Sequence, residues 1–334
     1  MRLLVCGGAG FIGSNFVRVR LCESEDEIRV LDRLTYAGRR ENLRDLEQDP
    51  RFSFVHGAIE DPAAVAGALD GFRADAIVNF AAETHVDRSI AEPDAFVTTH
   101  SQGTYVLLEA ARERELRYLQ VSTDEVYGSI EEGSFTESSP LDPSSPYSAT
   151  KAGADLLVAS YQHTFGLHAL ICRGSNNYGP YQYPEKLIPL MTLNALHGDR
   201  LPVYGDGMQV RNWLYVEDFD RAIGVVLERG APGEVYNVGG PDECENLTVV
   251  RRVIALCERD ESLIEYVTDR PGHDRRYSLS SEKVRALGWQ PRMRFERGLE
   301  RTVGWYRENA WWWEPIRSGD YREYYRRQYG RTLT

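Results

Sequence analysis

Short apolar runs punctuate the first half of the chain: "RLLVCGG", "EIRVLD", "FSFVHG", "DAIVNFAAE", "RYLQVSTDEV" and "HALICRG", several rich in Val and Ile. Each ends in small or polar residues, and runs of this kind read as parallel strands buried on both faces. Between them lie stretches of helical period, such as "GTYVLLEAARERE" and "SATKAGADLLVASYQHTF". Strand and helix in alternation predict an α/β fold, a doubly wound, Rossmann-like parallel sheet with right-handed crossovers. Ligands then sit at the carboxyl ends of the strands. After residue 175 the texture changes to Tyr, Pro, Asn and Gly-rich segments, "SNNYGPYQYPEKLIP" and "LPVYGDGMQVRNW". A larger lobe over 1–175 and a smaller one over 176–334 are expected, with the chain free to cross between them. The end, "WWWEPIRSGDYREYYRRQYG", mixes aromatic and charged residues and predicts a terminal helix packed on the lobe or on another subunit.

Composition narrows the partners. The net charge of -12 over 334 residues argues against nucleic acid, while leaving room for a local basic pocket around a small phosphorylated ligand. No apolar stretch approaches the roughly 20 residues that span a bilayer, and "MRLLVCGGAGFIGS" runs from strand to glycine turn with no signal-peptide pattern, so no membrane partner and a cytoplasmic location are expected. Five scattered cysteines without a C-x-x-C pair suit reduced thiols. Seven histidines show no ligand spacing, so no metal is assigned.

Gly7, Gly10 and Gly13 follow the first strand directly and open a helix. Glycines let backbone approach a pyrophosphate, and a helix N-terminus supplies amide donors. Asp32, at the end of the second strand, stands near the offset expected of the acid that binds an adenosine ribose and repels a 2'-phosphate, which favours NAD over NADP. Arg33 beside it blunts that preference unless it turns into solvent. Tyr147 and Lys151 are four apart, hence on one helix face, with Ser144 or Ser145 placed to cap that helix. A phenol near pKa 10 becomes a useful base only if positive charge, from Lys151 and a nicotinamide, stabilises its phenolate. "STDEVYG" sets Asp124 beside Glu125 where an apolar run ends.

On "GGAGFIGS", "STDEVYG" and "YSATK" the chain resembles the extended short-chain dehydrogenase/reductase superfamily. On "LDRLTYAG", "FAAETHVDRSI", "STDEVYGS", "SNNYGPYQYPEKLIP", "VYGDGMQVRNWLYV" and "DRPGHDRRY" it resembles, over nearly its whole length, the dTDP-glucose 4,6-dehydratase family. That resemblance implies a bound NAD that removes and returns a hydride while Tyr147, helped by Lys151 and Thr123, takes the sugar 4-hydroxyl proton. It makes Asp124 the acid at the 6-hydroxyl and Glu125 the base at carbon 5; the residues alone do not fix which is which. Burial and mutual repulsion can split two adjacent carboxyls into an acid and a base, provided the strand has ended by Thr123 so that both point inward.

By the same resemblance Phe11, Ile12, Leu34, Thr35, Ile59, Ala81, Ala82, Thr99 and Asn177 join Gly7, Gly10, Gly13, Asp32, Tyr147 and Lys151 at the cofactor. His85 and Thr123 lie near the glucose. Asn176, Glu185, Lys186, Leu187, Pro202, Tyr204, Arg211, Asn246, Arg270 and His273 line the nucleotide and phosphate site, where arginine forks suit phosphate. The resemblance also implies a homodimer through the helices 101–114 and 147–165. Four positions depart from the family pattern. Ala58 replaces an aspartate that faces the adenine, which predicts weaker NAD retention by about 1 kcal/mol for one hydrogen bond. His100 replaces an asparagine and is expected to add a titration near the cofactor. Thr84 and Cys6 replace a serine and a threonine. Competing readings are an epimerase or decarboxylase of nucleotide sugars, a substrate built on UDP or GDP, and a non-catalytic NAD-binding regulator.

Overall fold

In the computed structural model, which describes residues 1–269 and 273–330, all six apolar runs become strands: β1 (Arg2–Cys6), β2 (Glu27–Asp32), β3 (Phe52–His56), β4 (Ala76–Asn79), β5 (Arg117–Thr123) and β6 (Ala169–Gly174). The second half supplies β7 (Asn176–Tyr178), β8 (Leu201–Tyr204), β9 (Val210–Tyr215), β10 (Val235–Val238), β11 (Asp242–Glu245) and β12 (Ile264–Val267). The large sheet runs β10-β6-β5-β4-β1-β2-β3 and every pair in it is parallel. Because β1 lies between β2 and β4, crossovers leave it in both directions and open a crevice at its carboxyl end.

β10 departs from the sequence reading, which placed no strand of this sheet beyond residue 175. Its four residues are too short to announce themselves; the free edge of β6 recruits them, with Val235 opposite Ile171. The preceding helix Val216–Arg229 returns with it and buries Phe219, Ile223 and Val226 against the sheet.

Helices cover both faces of the large sheet. Phe16, Val17 and Leu21 from the helix Phe11–Glu23 share one core with Leu3, Val5 and Val30, while Leu107, Val158 and Tyr161 from two other helices share the opposite core with Leu4 and Ile77. A third core, around Tyr178, Met191, Trp213, Val250, Phe295 and Trp312, belongs to the second lobe with its small sheets β11-β9-β7 and β12-β8. Among the described residues no helix is long and apolar enough to cross a membrane, no cluster of His, Cys, Asp and Glu is arranged for a metal, and all five cysteines are free thiols.

Candidate active site

The first cavity, about 270 Å³, lies at the carboxyl ends of the parallel strands. Gly7 turns the chain out of β1 at φ +75°, and a Cβ there would stand 2.4 Å from the Ala81 nitrogen; at Gly13 it would stand 2.4 Å from the Gly7 carbonyl. Only bare backbone fits. The helix that starts at Phe11 has no side-chain cap and no acid in its first turn, so its leading amides stay available to an anion. Asp32 takes the Ala9 amide at 2.9 Å on one oxygen and the Leu34 amide at 2.8 Å on the other, so it pins the glycine turn as well as facing the cavity. This cradle fits a dinucleotide.

Arg33 does not turn into solvent. It is clamped between Glu60 at 2.5 Å and Glu83 at 2.6 Å, so its charge is matched inside the protein instead of being offered to a 2'-phosphate. The preference for NAD is therefore firmer than the bare sequence allows.

Tyr147 and Lys151 stand on the first two turns of the helix Pro146–Phe165, which Ser145 opens through a capping box with Ser148. The Lys151 ammonium donates to the Val121 carbonyl at 2.6 Å, and burial lowers its pKa to about 8. Behind it, Asp155 is buried in an ion pair with Arg173 at 2.8 Å and accepts from the Ser122 hydroxyl at 3.0 Å. Burial first, and the neighbouring Glu125 second, push the Tyr147 phenol above its usual range, against a hydrogen bond from Thr123. The protein by itself therefore keeps Tyr147 protonated, which leaves the phenolate to the joint charge of Lys151 and a nicotinamide that the sequence reading calls for.

β5 ends at Thr123, and residues Asp124–Tyr127 form a single 3-10 turn capped by the Thr123 hydroxyl, which accepts the Glu125 amide at 3.2 Å. Turn geometry replaces strand alternation, so both acids reach the cavity. Asp124 is buried, and desolvation followed by repulsion from Glu125 raises its pKa to about 8. Glu125 is half-buried and also lines the second cavity. Burial and repulsion thus set Asp124 apart from its neighbour as a carboxyl that holds its proton more tightly than usual.

The second cavity, about 180 Å³, brings together His85, Asn176, Glu185, Lys186, Leu187, Pro202, Tyr204, Arg211, Asn246 and His273; it shares Thr84, Glu125, Asn176 and Lys186 with the first. Arg270 lies outside the described residues. Glu185 is already engaged, accepting the Tyr36 hydroxyl at 2.9 Å and pairing with Arg88 at 3.2 Å. Thr99 Oγ1, Asp124 Oδ2, Asn176 Oδ1, Asn177 Oδ1 and Asn246 Oδ1 are buried without a hydrogen-bond partner among the described residues, and all five residues line one cavity or the other. Buried polar atoms are normally satisfied, so these mark where ligand atoms belong.

Of the positions expected at the cofactor, the first cavity gathers Gly7, Gly10, Phe11, Ile12, Gly13, Asp32, Thr35, Ile59, Ala81, Ala82, Thr99, Tyr147, Lys151 and Asn177. Leu34 stands apart: its amide serves Asp32 while its side chain packs on a hydrophobic core. Thr99 owes its place to a π-helical turn, Thr98–Gly103, a register no periodicity argument foresaw. His100 on the same turn is buried, with Nε2 against the Glu83 carbonyl at 3.1 Å and Nδ1 against the Thr150 hydroxyl at 2.8 Å. Burial and Lys151 hold its pKa well below the ordinary value, so the extra titration expected of His100 does not arise near neutrality. Sequence reasoning missed Phe219 and Tyr36 in the first cavity, and Asp87 and Tyr329 in the second. The aromatic and charged end of the chain predicted a packed terminal helix, but nothing in it pointed to a cavity.

A sequence model describing the GDP-mannose 4,6 dehydratase family matches residues 4–302. A dTDP-glucose 4,6-dehydratase from Streptomyces niveus is 50% identical over 327 residues, 96% of this chain and 97% of its own. The structure of the dTDP-glucose 4,6-dehydratase from Streptomyces venezuelae with NAD bound superposes with a TM-score of 0.92 at 53% identity, over 95% of this chain and 100% of that one. The UDP-glucose 4-epimerase of Thermus thermophilus, also solved with NAD, shares the fold at a TM-score of 0.86 but only 31% of residues, over 92% of this chain and 100% of its own. Identity that drops this far between dehydratase and epimerase, on one common fold, separates the two, and the chain belongs to the dTDP-glucose 4,6-dehydratase family of extended short-chain dehydrogenases.

Proposed function

We propose that this protein dehydrates dTDP-glucose to dTDP-4-keto-6-deoxyglucose, a step of deoxysugar biosynthesis of the rhamnose type. The observation that carries the reading is the pair of adjacent carboxyls at the junction of the two cavities, one buried with a pKa near 8 and the other half-buried toward the second cavity. A 4-epimerase has no use for such a pair, because it makes and breaks no bond at carbons 5 and 6. Gly7, Gly10, Gly13 and Asp32 would hold the dinucleotide. When bound, NAD accepts a hydride from carbon 4 and gives it back at carbon 6, and its pyridinium charge favours the Tyr147 phenolate. Tyr147 takes the 4-hydroxyl proton, with Thr123 steering that oxygen and Lys151 stabilising the phenolate. Glu125 removes the carbon-5 proton that the new carbonyl acidifies and later returns it there. Asp124, protonated at neutral pH, gives its proton to the departing 6-hydroxyl, which leaves as water.

Residues 1–175 serve the cofactor and 176–334 the nucleotide sugar, with residues 216–238 folding back onto the first lobe. Lys186, Arg211 and His273 suit the diphosphate. A second copy of the chain docks on the paired helices, where Tyr105, Leu156 and Phe165 are exposed apolar side chains. A cytoplasmic setting suits the five free thiols. Incubation with dTDP-, UDP- and GDP-glucose without added NAD tests the activity: a 4-keto-6-deoxy product from dTDP-glucose alone is expected, and none from it would refute the reading. Light scattering at the mass of one chain would refute the dimer.

A further inference from the structure

We propose that the helix Asp320–Tyr329 closes the second cavity and that Tyr329 is the residue with which this chain holds the nucleobase. The inference rests on reading that cavity as the sugar-nucleotide site. Tyr321, Tyr324, Tyr325, Gln328 and Tyr329 fall at i, i+3, i+4, i+7 and i+8, one face of a helix. The first three dock it: the Tyr321 hydroxyl donates to the Pro184 carbonyl at 3.0 Å, the Tyr324 ring faces the Arg88 guanidinium at 4.6 Å, and the Tyr325 hydroxyl accepts from Asn194 at 3.1 Å. Gln328 is a latch at the rim, donating to the Tyr204 hydroxyl at 2.9 Å and reaching Asp87 at 3.4 Å. Tyr329 itself lines the cavity, its ring 6.3 Å from that of Tyr204.

The cavity has a direction. Its inner end shares Glu125 and Lys186 with the reaction site, so the hexose lies there and the diphosphate follows along the cations. What remains for the base is the stretch that Tyr204, Tyr329 and aliphatic Pro202 line. A flat, neutral heterocycle matches aromatic rings over an aliphatic floor, and such stacking changes affinity by roughly 5- to 100-fold per base.

The experiment compares wild type, Tyr329→Ala, Tyr329→Phe and Gln328→Ala in steady-state kinetics with dTDP-glucose, in calorimetric titration with dTDP alone, and in thermal melting. Tyr329→Ala is expected to raise KM and the dTDP Kd together by roughly 5- to 100-fold with kcat nearly unchanged. Tyr329→Phe keeps the ring and should keep most of the affinity, and Gln328→Ala should fall between the two. A Tyr329→Ala protein that matches wild type in KM and Kd, or that loses kcat or melting temperature with KM intact, would overturn the inference alone. Wild type that converts no dTDP-glucose and binds no dTDP would overturn the functional reading and this inference with it.

Discussion

The two cavities that meet at Glu125 are built from different material. The first is a cradle of backbone: glycines, the open end of a helix, and strand termini held in register by a continuous parallel sheet. The second is assembled from side chains that arrive on separate segments, from Thr84 to Tyr329. Backbone recognition tolerates no added atom and should fail outright when disturbed. Side-chain recognition is divided among many groups, and each loss should be partial.

Gly13→Ala is the strongest test of that contrast. Its Cβ would meet the Gly7 carbonyl at 2.4 Å and the Gly8 Cα at 2.9 Å, and neither atom can swing aside. The variant should release no nicotinamide dinucleotide on acid denaturation and should show background activity. Retention of wild-type cofactor content would mean that the cradle is softer than its geometry.

Asp124→Asn comes next. Loss of a general acid should slow product formation by on the order of 10²–10⁴-fold, while the oxidation led by Tyr147 survives. Addition of dTDP-glucose should then produce a lasting rise in reduced-nicotinamide absorbance; its absence would move Asp124 to an earlier step. The same residue makes a stability prediction. A carboxyl whose folded pKa is raised to about 8 holds its proton more tightly when folded, so the native state loses stability as pH climbs from the ordinary carboxylate range toward 8. Asparagine has no such loss, so the variant should melt above wild type at neutral pH, and the gap should shrink in acid. Wild-type activity should decline as pH rises past 8, where Asp124 and Lys151 both lose their protons.

Lys186→Met probes the second cavity. The ammonium donates to the Thr84 carbonyl at 2.5 Å and borders both cavities, and its loss should raise KM for dTDP-glucose by roughly 10- to 100-fold, the scale of one charge-assisted hydrogen bond, with cofactor content unchanged. An all-or-none loss there would erase the distinction between the two cavities.

The same division decided how much could be read in advance. A backbone site leaves contiguous marks, and "GGAGFIGS" with Asp32, then "STDEVYG", then "YSATK", carried the large lobe and the reacting groups. β10 escaped because its partner, the open edge of β6, is a tertiary fact. The π-helical turn at Thr98–Gly103 escaped because it breaks the 3.6-residue period on which helix reading depends. Most of the second cavity was legible only through family resemblance, and Tyr329, outside every motif block, was not legible at all. The protonation of Tyr147 and the silence of His100 follow from burial, which no spacing reports.

The smallest effect concerns Arg33, where the two kinds of recognition touch. Its guanidinium lines the first cavity next to Asp32, yet Glu60 and Glu83 hold it in place. Glu60→Gln combined with Glu83→Gln should free a planar fork suited to a 2'-phosphate, and NADP affinity should rise by roughly five-fold, the scale of about 1 kcal/mol for partly exposed ion pairs. Asp32 would still repel the phosphate, so NAD should remain preferred. Adding Arg33→Ala to the double variant should cancel the gain, because the only cation released would be gone. A rise that persists without Arg33 would locate the discrimination in the two glutamates themselves, as a field that repels anions, and not in the arginine they restrain.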